Sequence, residues 1–233
     1  MAEAIRWKNC YGDVVSSKNG WMAQSLLDDV IEPGLDALDA QVSKLEKSED
    51  EALVIFLKSD LDHLHHAVAM GYCLSIQALW ERQIRTYLRW CAKELAPEAM
   101  TRTEKSTWGE IEKLFRELRG ISLSGFAEYP DLQLLHLLGN VCRHGEGASL
   151  RTLWEKHPEL WPGRLAPEPP PGWQFSPTVE GIEISRGLLR RLAGAVVSFW
   201  EEAACIYMEN LQSYDPGARA RLDELKVMRS GRR

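Results

Sequence analysis

Residues 60–95 read DLDHLHHAVAMGYCLSIQALWERQIRTYLRWCAKEL, and no proline interrupts the chain there until Pro97. Ala69, Cys73, Ile76, Trp80, Ile84, Tyr87 and Cys91 recur every three or four residues. That spacing puts them on one apolar stripe of an α-helix and is incompatible with the period of two that a half-buried strand requires. At about 1.5 Å per residue the helix is on the order of 50 Å long, enough to organise a bundle around itself.

The neighbouring segments repeat the pattern. Before the long helix, Leu35, Leu38, Val42 and Leu45 form a buried face within a helical stretch from Trp21 to Lys47 that Pro33 is expected to interrupt. The apolar run ALVIFL follows the acidic segment SEDE, which suits a helix start better than a strand. Trp108, Ile111, Leu114, Phe115 and Leu118 define a shorter helix that Gly120 stops. Tyr129–Pro130–Asp131 opens another, ending at Gly145, and Ser149 can cap a brief helix through His157. Seven of the eleven prolines fall between Pro158 and Pro177, a loop or extended crossing. The β-branched residues of Gln174 to Ile184 can hold a short strand pair. Ser185 to Leu211 is a second long amphipathic helix, with Leu188, Leu192, Val196, Phe199 and Ala203 facing inward. The expected fold class is all-α: a helical bundle of about five main helices with a proline-rich loop at 158–177 and a short β-hairpin before the last long helix. Residues 1–20 read as an N-terminal arm, 21–211 as one domain, and 212–233 as a basic C-terminal helix or tail.

Composition narrows the function classes. The chain has 233 residues, 45% of them hydrophobic, and a formal net charge of -6, so overall charge does not favour non-specific attraction to a nucleic-acid backbone. A local excess exists from Pro216 to Arg233, with six Lys/Arg against two Asp/Glu. No apolar stretch is long enough to span a bilayer, so no membrane partner is expected. Five cysteines, Cys10, Cys73, Cys91, Cys142 and Cys205, are scattered singly with no CxxC, which points to a reducing compartment and a cytoplasmic protein. His63, His65 and His66 invite a metal reading, but ligands on one helix face without a second ligand pair do not make a site, and no metal or cofactor is expected. No phosphate-cradling glycine loop or dinucleotide fingerprint occurs. Trp154 stands just before the proline-rich loop and Trp161 and Trp173 lie within it, where indoles more often pin a loop to a core than stack on bases.

The stretch with chemical content is residues 137–150, LLGNVCRHGEGASL. His136, Asn140 and His144 are spaced i, i+4, i+8 and share one polar stripe, with Arg143 flanking it, while Leu134, Leu135, Leu138 and Val141 cover the opposite side. Gly145 and Gly147 let the backbone turn away at once. A bland account also fits, because Arg and His in a last helical turn complement the helix dipole.

The string GNVCRHG at 139–145 resembles the signature of the HEPN superfamily (higher eukaryotes and prokaryotes nucleotide-binding), helical bundles bearing an Arg, a polar residue after it, and a His four to six positions beyond the Arg. Asn140 matches the polar residue and His144 the histidine; position 139, where the family's arginine falls, is glycine. Glu81-Arg82-Gln83-Ile84-Arg85 resembles a Glu-x3-Lys motif of some family ribonucleases, with Arg for Lys; alone, such a pair is an ordinary i,i+4 ion pair. The resemblance implies a metal-independent endoribonuclease acting on RNA as a homodimer, with His144 as acid/base, Arg143 or Arg85 as phosphate clamp, Asn140 as orienting group and Glu81 positioning Arg85. It also implies a setting in a toxin–antitoxin or phage-defence system, with an antitoxin or other partner protein. The glycine at 139 keeps open the alternative of a catalytically inactive bundle that binds a protein or nucleotide.

Overall fold

The computed structural model describes residues 7–47, 51–162, 176–211, 213 and 215–231, with the backbone alone at 51–53, 55, 56 and 105. The fold is all-α. Its elements are α1 (Tyr11–Val15), α2 (Asn19–Leu26), α3 (Glu32–Leu45), α4 (Glu51–Leu95), α5 (Arg102–Lys105), α6 (Trp108–Arg119), α7 (Tyr129–His144), α8 (Ala148–Lys156), α9 (Arg186–Glu209) and α10 (Pro216–Gly231), with short 3₁₀ turns at Ser16–Lys18, Pro97–Ala99, Leu123–Gly125 and Pro158–Leu160. Six of these have twelve or more residues, so the expectation of about five main helices is slightly short. No strand occurs among the described residues. The anticipated β-hairpin is replaced over 176–185 by non-helical chain with a turn, whose Gly181 N–H donates to Thr178 O at 3.3 Å; Gln174 and Phe175 lie outside the described residues, as does most of the proline-rich loop. Val179, Ile182 and Ile184 are buried, so their side chains leave water without strand pairing.

Pro33 does not break the helical stretch. The turn before it, Leu27–Ile31, is a π-helix, and Pro33 stands in the first turn of α3, where its missing N–H costs least.

The chain forms two compact units. One comprises Met1–Gln24, Leu79–Pro130 and Gly194–Arg233. Its core is aromatic: Trp80 meets Phe199 edge-on at 4.8 Å between centroids, Phe199 meets Phe126 at 4.7 Å, and Tyr87 meets Trp200 at 5.4 Å. Trp200 Nε1 donates to Gln83 Oε1 at 2.8 Å, and Gln83 in turn donates to the Asn19 carbonyl at 3.0 Å, so the two buried polar groups satisfy each other. The start of α6 is fixed by the Glu110 carboxylate accepting from the Thr107 N–H at 2.6 Å, and its end by Gly120 at φ 70°. The N-terminal segment is docked: Trp7 and Asp13 are buried, and the fully buried Arg119 guanidinium lies 3.8 Å from the Trp7 ring centroid. On α10, Leu222 and Leu225 pack on Cys205 of α9.

The other unit comprises Ser25–Ala78 and Asp131–Ala193. Leu35 and Leu38 of α3, Cys73 and Ile76 of α4, Leu135 and Leu138 of α7 and Leu189 and Leu192 of α9 are buried in it. Arg186 gathers Glu32, Asp36 and Asp39 at 3.1, 2.6 and 2.7 Å, and Arg190 shares Glu32. Those arginines hold the Glu32 carboxyl below the usual carboxylate range, Arg190 by its hydrogen bond most of all. Trp161 is fully buried, donates Nε1–H to Thr178 O at 2.8 Å and meets Trp154 edge-on at 5.4 Å. That indole pins the described end of the loop; Trp173 lies outside the described residues.

Candidate functional site

Helix α7 begins with Pro130 and Asp131 in its first turn, a ring that tolerates the missing intrahelical N–H and a carboxylate that complements the positive helix end. Leu132, Leu134, Leu135, Leu138 and Val141 are buried, which turns the polar stripe toward the outside. His136 and Asn140 are half-buried, and Arg143 and His144 are exposed. Gly145 ends the helix at φ 70°, its N–H donating to the Val141 carbonyl at 2.8 Å, and Gly147 follows at φ 150° as the cap of α8. Both angles belong to glycine, so the tight exit after His144 depends on them.

Inside the stripe the contacts are specific. The Asn140 amide nitrogen donates to His136 Nε2 at 3.1 Å, joining the first two members of the i, i+4, i+8 series. Arg143 Nη2 donates to Gln77 Oε1 at 2.8 Å, and Gln77, on α4, is 1% exposed. A charge-assisted bond to a buried acceptor restricts the guanidinium to one direction. Gln77 also lies against Gly139: a Cβ added there would stand 2.8 Å from Gln77 Cβ and 2.9 Å from its Cδ, closer than real Cβ atoms approach. Gly139 is therefore the point where α4 and α7 touch, and the place has no room for an arginine side chain. The nearest guanidinium in sequence, Arg143, projects one turn later.

Glu81 and Arg85 belong to the other unit, where they bind each other: Glu81 Oε1 accepts from Arg85 Nε at 3.0 Å and from Nη2 at 2.8 Å, each side chain about a quarter exposed. Arg85 Nη1 lies 3.5 Å from the Thr103 carbonyl. Asn140, Arg143 and His144 thus fall in one unit and Glu81 with Arg85 in the other.

The remaining candidates are accounted for locally. His65 and His66 line a cleft of about 470 Å³ with Asp39, Glu180, Glu183 and Arg186. Among the described residues no three His, Cys, Asp or Glu side chains are grouped to hold a metal ion. The basic C-terminal residues are partly neutralised: Arg229 pairs with Glu202 at 2.6 Å and with Glu209 at 3.3 Å, and Arg221 pairs with Glu224 at 2.9 Å. No described helix is long and apolar enough to cross a membrane.

Four of the five cysteines, separate in sequence, pair in space. Cys10 and Cys91 sulfurs are 3.3 Å apart in one unit. Cys73 and Cys142 neighbour each other in the other unit, and the interaction with Cys142, together with burial, raises the Cys73 thiol well above its ordinary range. Gln77, which orients Arg143, was also readable only in part: it follows Cys73 by four positions, a polar residue on an otherwise apolar face, which signals a buried hydrogen bond without naming its partner.

Neither a family model, nor a curated protein, nor a solved structure matches this chain.

Proposed function

We propose that the protein is a HEPN-like, metal-independent endoribonuclease that works as a homodimer, with His144 and Arg143 as the residues acting on RNA. What supports this reading is the placement of Arg143 and His144 side by side, exposed, in the last turn of α7, with Asn140 one turn behind and two glycines clearing the helix end. Cleavage of RNA by its own 2′-OH requires a proton to be removed from that oxygen, a proton to be supplied to the leaving 5′ oxygen, and positive charge around the phosphorane. Histidine suits the proton transfers at neutral pH, and a guanidinium suits the non-bridging oxygens. Arg143, exposed and held by Gln77 through Nη2, supplies the cation that glycine cannot supply at 139. Glu81 fixes the orientation of the Arg85 guanidinium within the other unit, and a part for that pair in cleavage rests on the motif resemblance alone. A toxin–antitoxin or phage-defence setting, with an antitoxin or other partner protein, belongs to the same proposal.

A second reading, a bundle that binds RNA, a nucleotide or a protein without cleaving, is favoured by two observations. Gly139 cannot be replaced by the family's arginine without displacing Gln77, and Asn140 is engaged by His136.

The deciding experiment expresses wild type and His144→Ala and compares growth arrest and cleavage of total RNA. Growth arrest with RNA cleavage that the substitution removes supports the nuclease. RNA binding without cleavage in both supports the second reading. Light scattering tests the dimer, and a mass near the 26.5 kDa of one chain at micromolar concentration would contradict it.

A further inference from the structure

We propose that Cys10 and Cys91 are a thiol pair that hydroperoxides oxidise to an intramolecular disulfide, tying the N-terminal segment of the chain to α4. The sulfurs lie 3.3 Å apart. A disulfide bond is about 2.0 Å long, so closure needs a movement of little more than about 1 Å. Cys10 caps α1, a helix of only five residues preceded by non-helical chain, which is the kind of element that can shift that far. The segment is already pressed on α4, since a Cβ added at Gly12 would stand 2.8 Å from Cys91 Sγ.

A buried cation stands over the pair. Arg119 Nη1 lies 3.3 Å from Cys10 Sγ and 3.7 Å from Cys91 Sγ, and it also donates to the Lys8 carbonyl at 2.8 Å. Its Nη2 is bound to the Asp13 carboxylate at 2.8 and 3.0 Å. The arrangement separates the two roles. The hydrogen bond with Cys91, first of all, lowers the Cys10 thiol below its ordinary range, and the nearer Arg119 contact also favours negative charge there. Cys91 keeps its proton, raised by its bond to Cys10 and by burial. Cys10 is 6% exposed and Cys91 not at all, so a small oxidant meets Cys10 first.

In the first step the Cys10 thiolate attacks one oxygen of the hydroperoxide. The O–O bond breaks, Cys10 becomes a sulfenic acid, and the alkoxide or hydroxide takes the proton that Cys10 had given up. In the second, the Cys91 sulfur displaces hydroxide from the sulfenic sulfur. The S–S bond forms, the S–O bond breaks, and the Cys91 proton leaves with hydroxide as water. Two thiols and one hydroperoxide give one disulfide, one alcohol (or water) and one water, with two electrons passing from sulfur to oxygen. The link joins positions 81 apart and fixes the described segment from Trp7 to Val15 on the long helix.

The test treats the reduced full-length chain with hydrogen peroxide, blocks remaining thiols with iodoacetamide and digests it with trypsin without reduction. Cleavage after Lys8, Lys18, Arg89 and Lys93 isolates residues 9–18 and 90–93, each with one cysteine. The expected product is these two peptides joined and two hydrogens lighter than their sum, appearing before any change at Cys73, Cys142 or Cys205. Dithiothreitol should reverse it, and the oxidised chain should melt at a higher temperature than the reduced one. In Cys91→Ser the link should be absent and Cys10 should be trapped by dimedone as the sulfenic acid. Recovery of Cys10 and Cys91 as separate alkylated or over-oxidised residues, with circular dichroism showing the wild-type chain still folded, would overturn the proposal. So would a Cys73–Cys142 link formed alone.

Discussion

Gln77 and Gly139 meet where α4 touches α7, and the same Gln77 side chain accepts a hydrogen bond from Arg143 at 2.8 Å. One buried amide therefore sets both how closely the two helices approach and where the exposed guanidinium points. The absence of a side chain at 139 and the direction of the one at 143 have a common cause.

Substitution at this contact should be costly in proportion to size. Gly139→Ala gains helix propensity of up to about 1 kcal/mol but must displace Gln77, and overpacking of this kind costs about 1–3 kcal/mol, so a net loss on the order of 1 kcal/mol is expected. Gly139→Arg should lose more than about 3 kcal/mol or fail to fold. Urea unfolding of the three chains checks this. An arginine variant as stable as wild type would show that the helices have room.

Arg143 should act on RNA as a phosphate contact. Arg143→Ala should weaken RNA binding evenly across sequences and reduce the slope of log K against log salt by about 0.7, the value for one contact to a single strand. Gln77→Ala, which leaves the cation in place but unoriented, should lower cleavage more than it changes that slope. Filter binding across a salt series separates the two effects, and an unchanged slope in Arg143→Ala would remove the arginine from the interface.

The Arg119–Asp13 pair should be the most sensitive polar element of its unit. Both side chains are buried, and breaking such a pair by removing one partner leaves an uncompensated charge costing about 3–5 kcal/mol. Asp13→Ala should lose that much in a urea melt. Removing both charges in Asp13→Leu with Arg119→Met should cost far less than the sum of the single changes. Additive losses would mean that the ion pair is not what couples these positions.

Tyr87 should steepen the alkaline limb of stability. Burial, first of all, raises its hydroxyl well above the ordinary value of 10.0, and the phenol donates to Asp13 Oδ1 at 2.9 Å. A group held neutral in the folded chain contributes stability that is fully present below its unfolded pKa and is lost as pH rises above it. Above pH 10.0, wild type should therefore lose stability more steeply than Tyr87→Phe, while below it the variant should be weaker by about 1 kcal/mol from the missing hydrogen bond. Urea midpoints from pH 8 to pH 11 test the crossover in slope, and parallel curves would contradict it.

The helices were legible because their period was. The stripe from Ala69 to Cys91 is buried at every position named from the sequence, and Gly120 and Gly145 end helices with positive φ, as their place after apolar runs suggested. The β-hairpin was misread because Val179, Ile182 and Ile184 are β-branched for burial rather than for pairing, a distinction that local propensity cannot make. Pro33 does not interrupt the stretch because it falls in the first turn of α3, directly after the π-helical Leu27–Ile31, a position that spacing alone does not reveal. At the candidate site, Asn140, Arg143 and His144 could be placed on one face by counting. Gln77 could not be linked to them, since it lies 66 positions from Arg143 and only the helix crossing joins them. The cysteine pairs were invisible for the same reason: spacing along the chain says nothing of contacts between helices.

The most direct measurement is cleavage of total RNA by purified wild type and His144→Ala in the presence of EDTA, with circular dichroism and melting temperature of the two chains recorded alongside. The account predicts that wild type cleaves under chelation and that His144→Ala, equally folded because the residue is exposed, loses at least about a hundredfold of that rate, the scale of a removed general acid or base. Undiminished cleavage in His144→Ala, or no cleavage by the folded wild type, would contradict it.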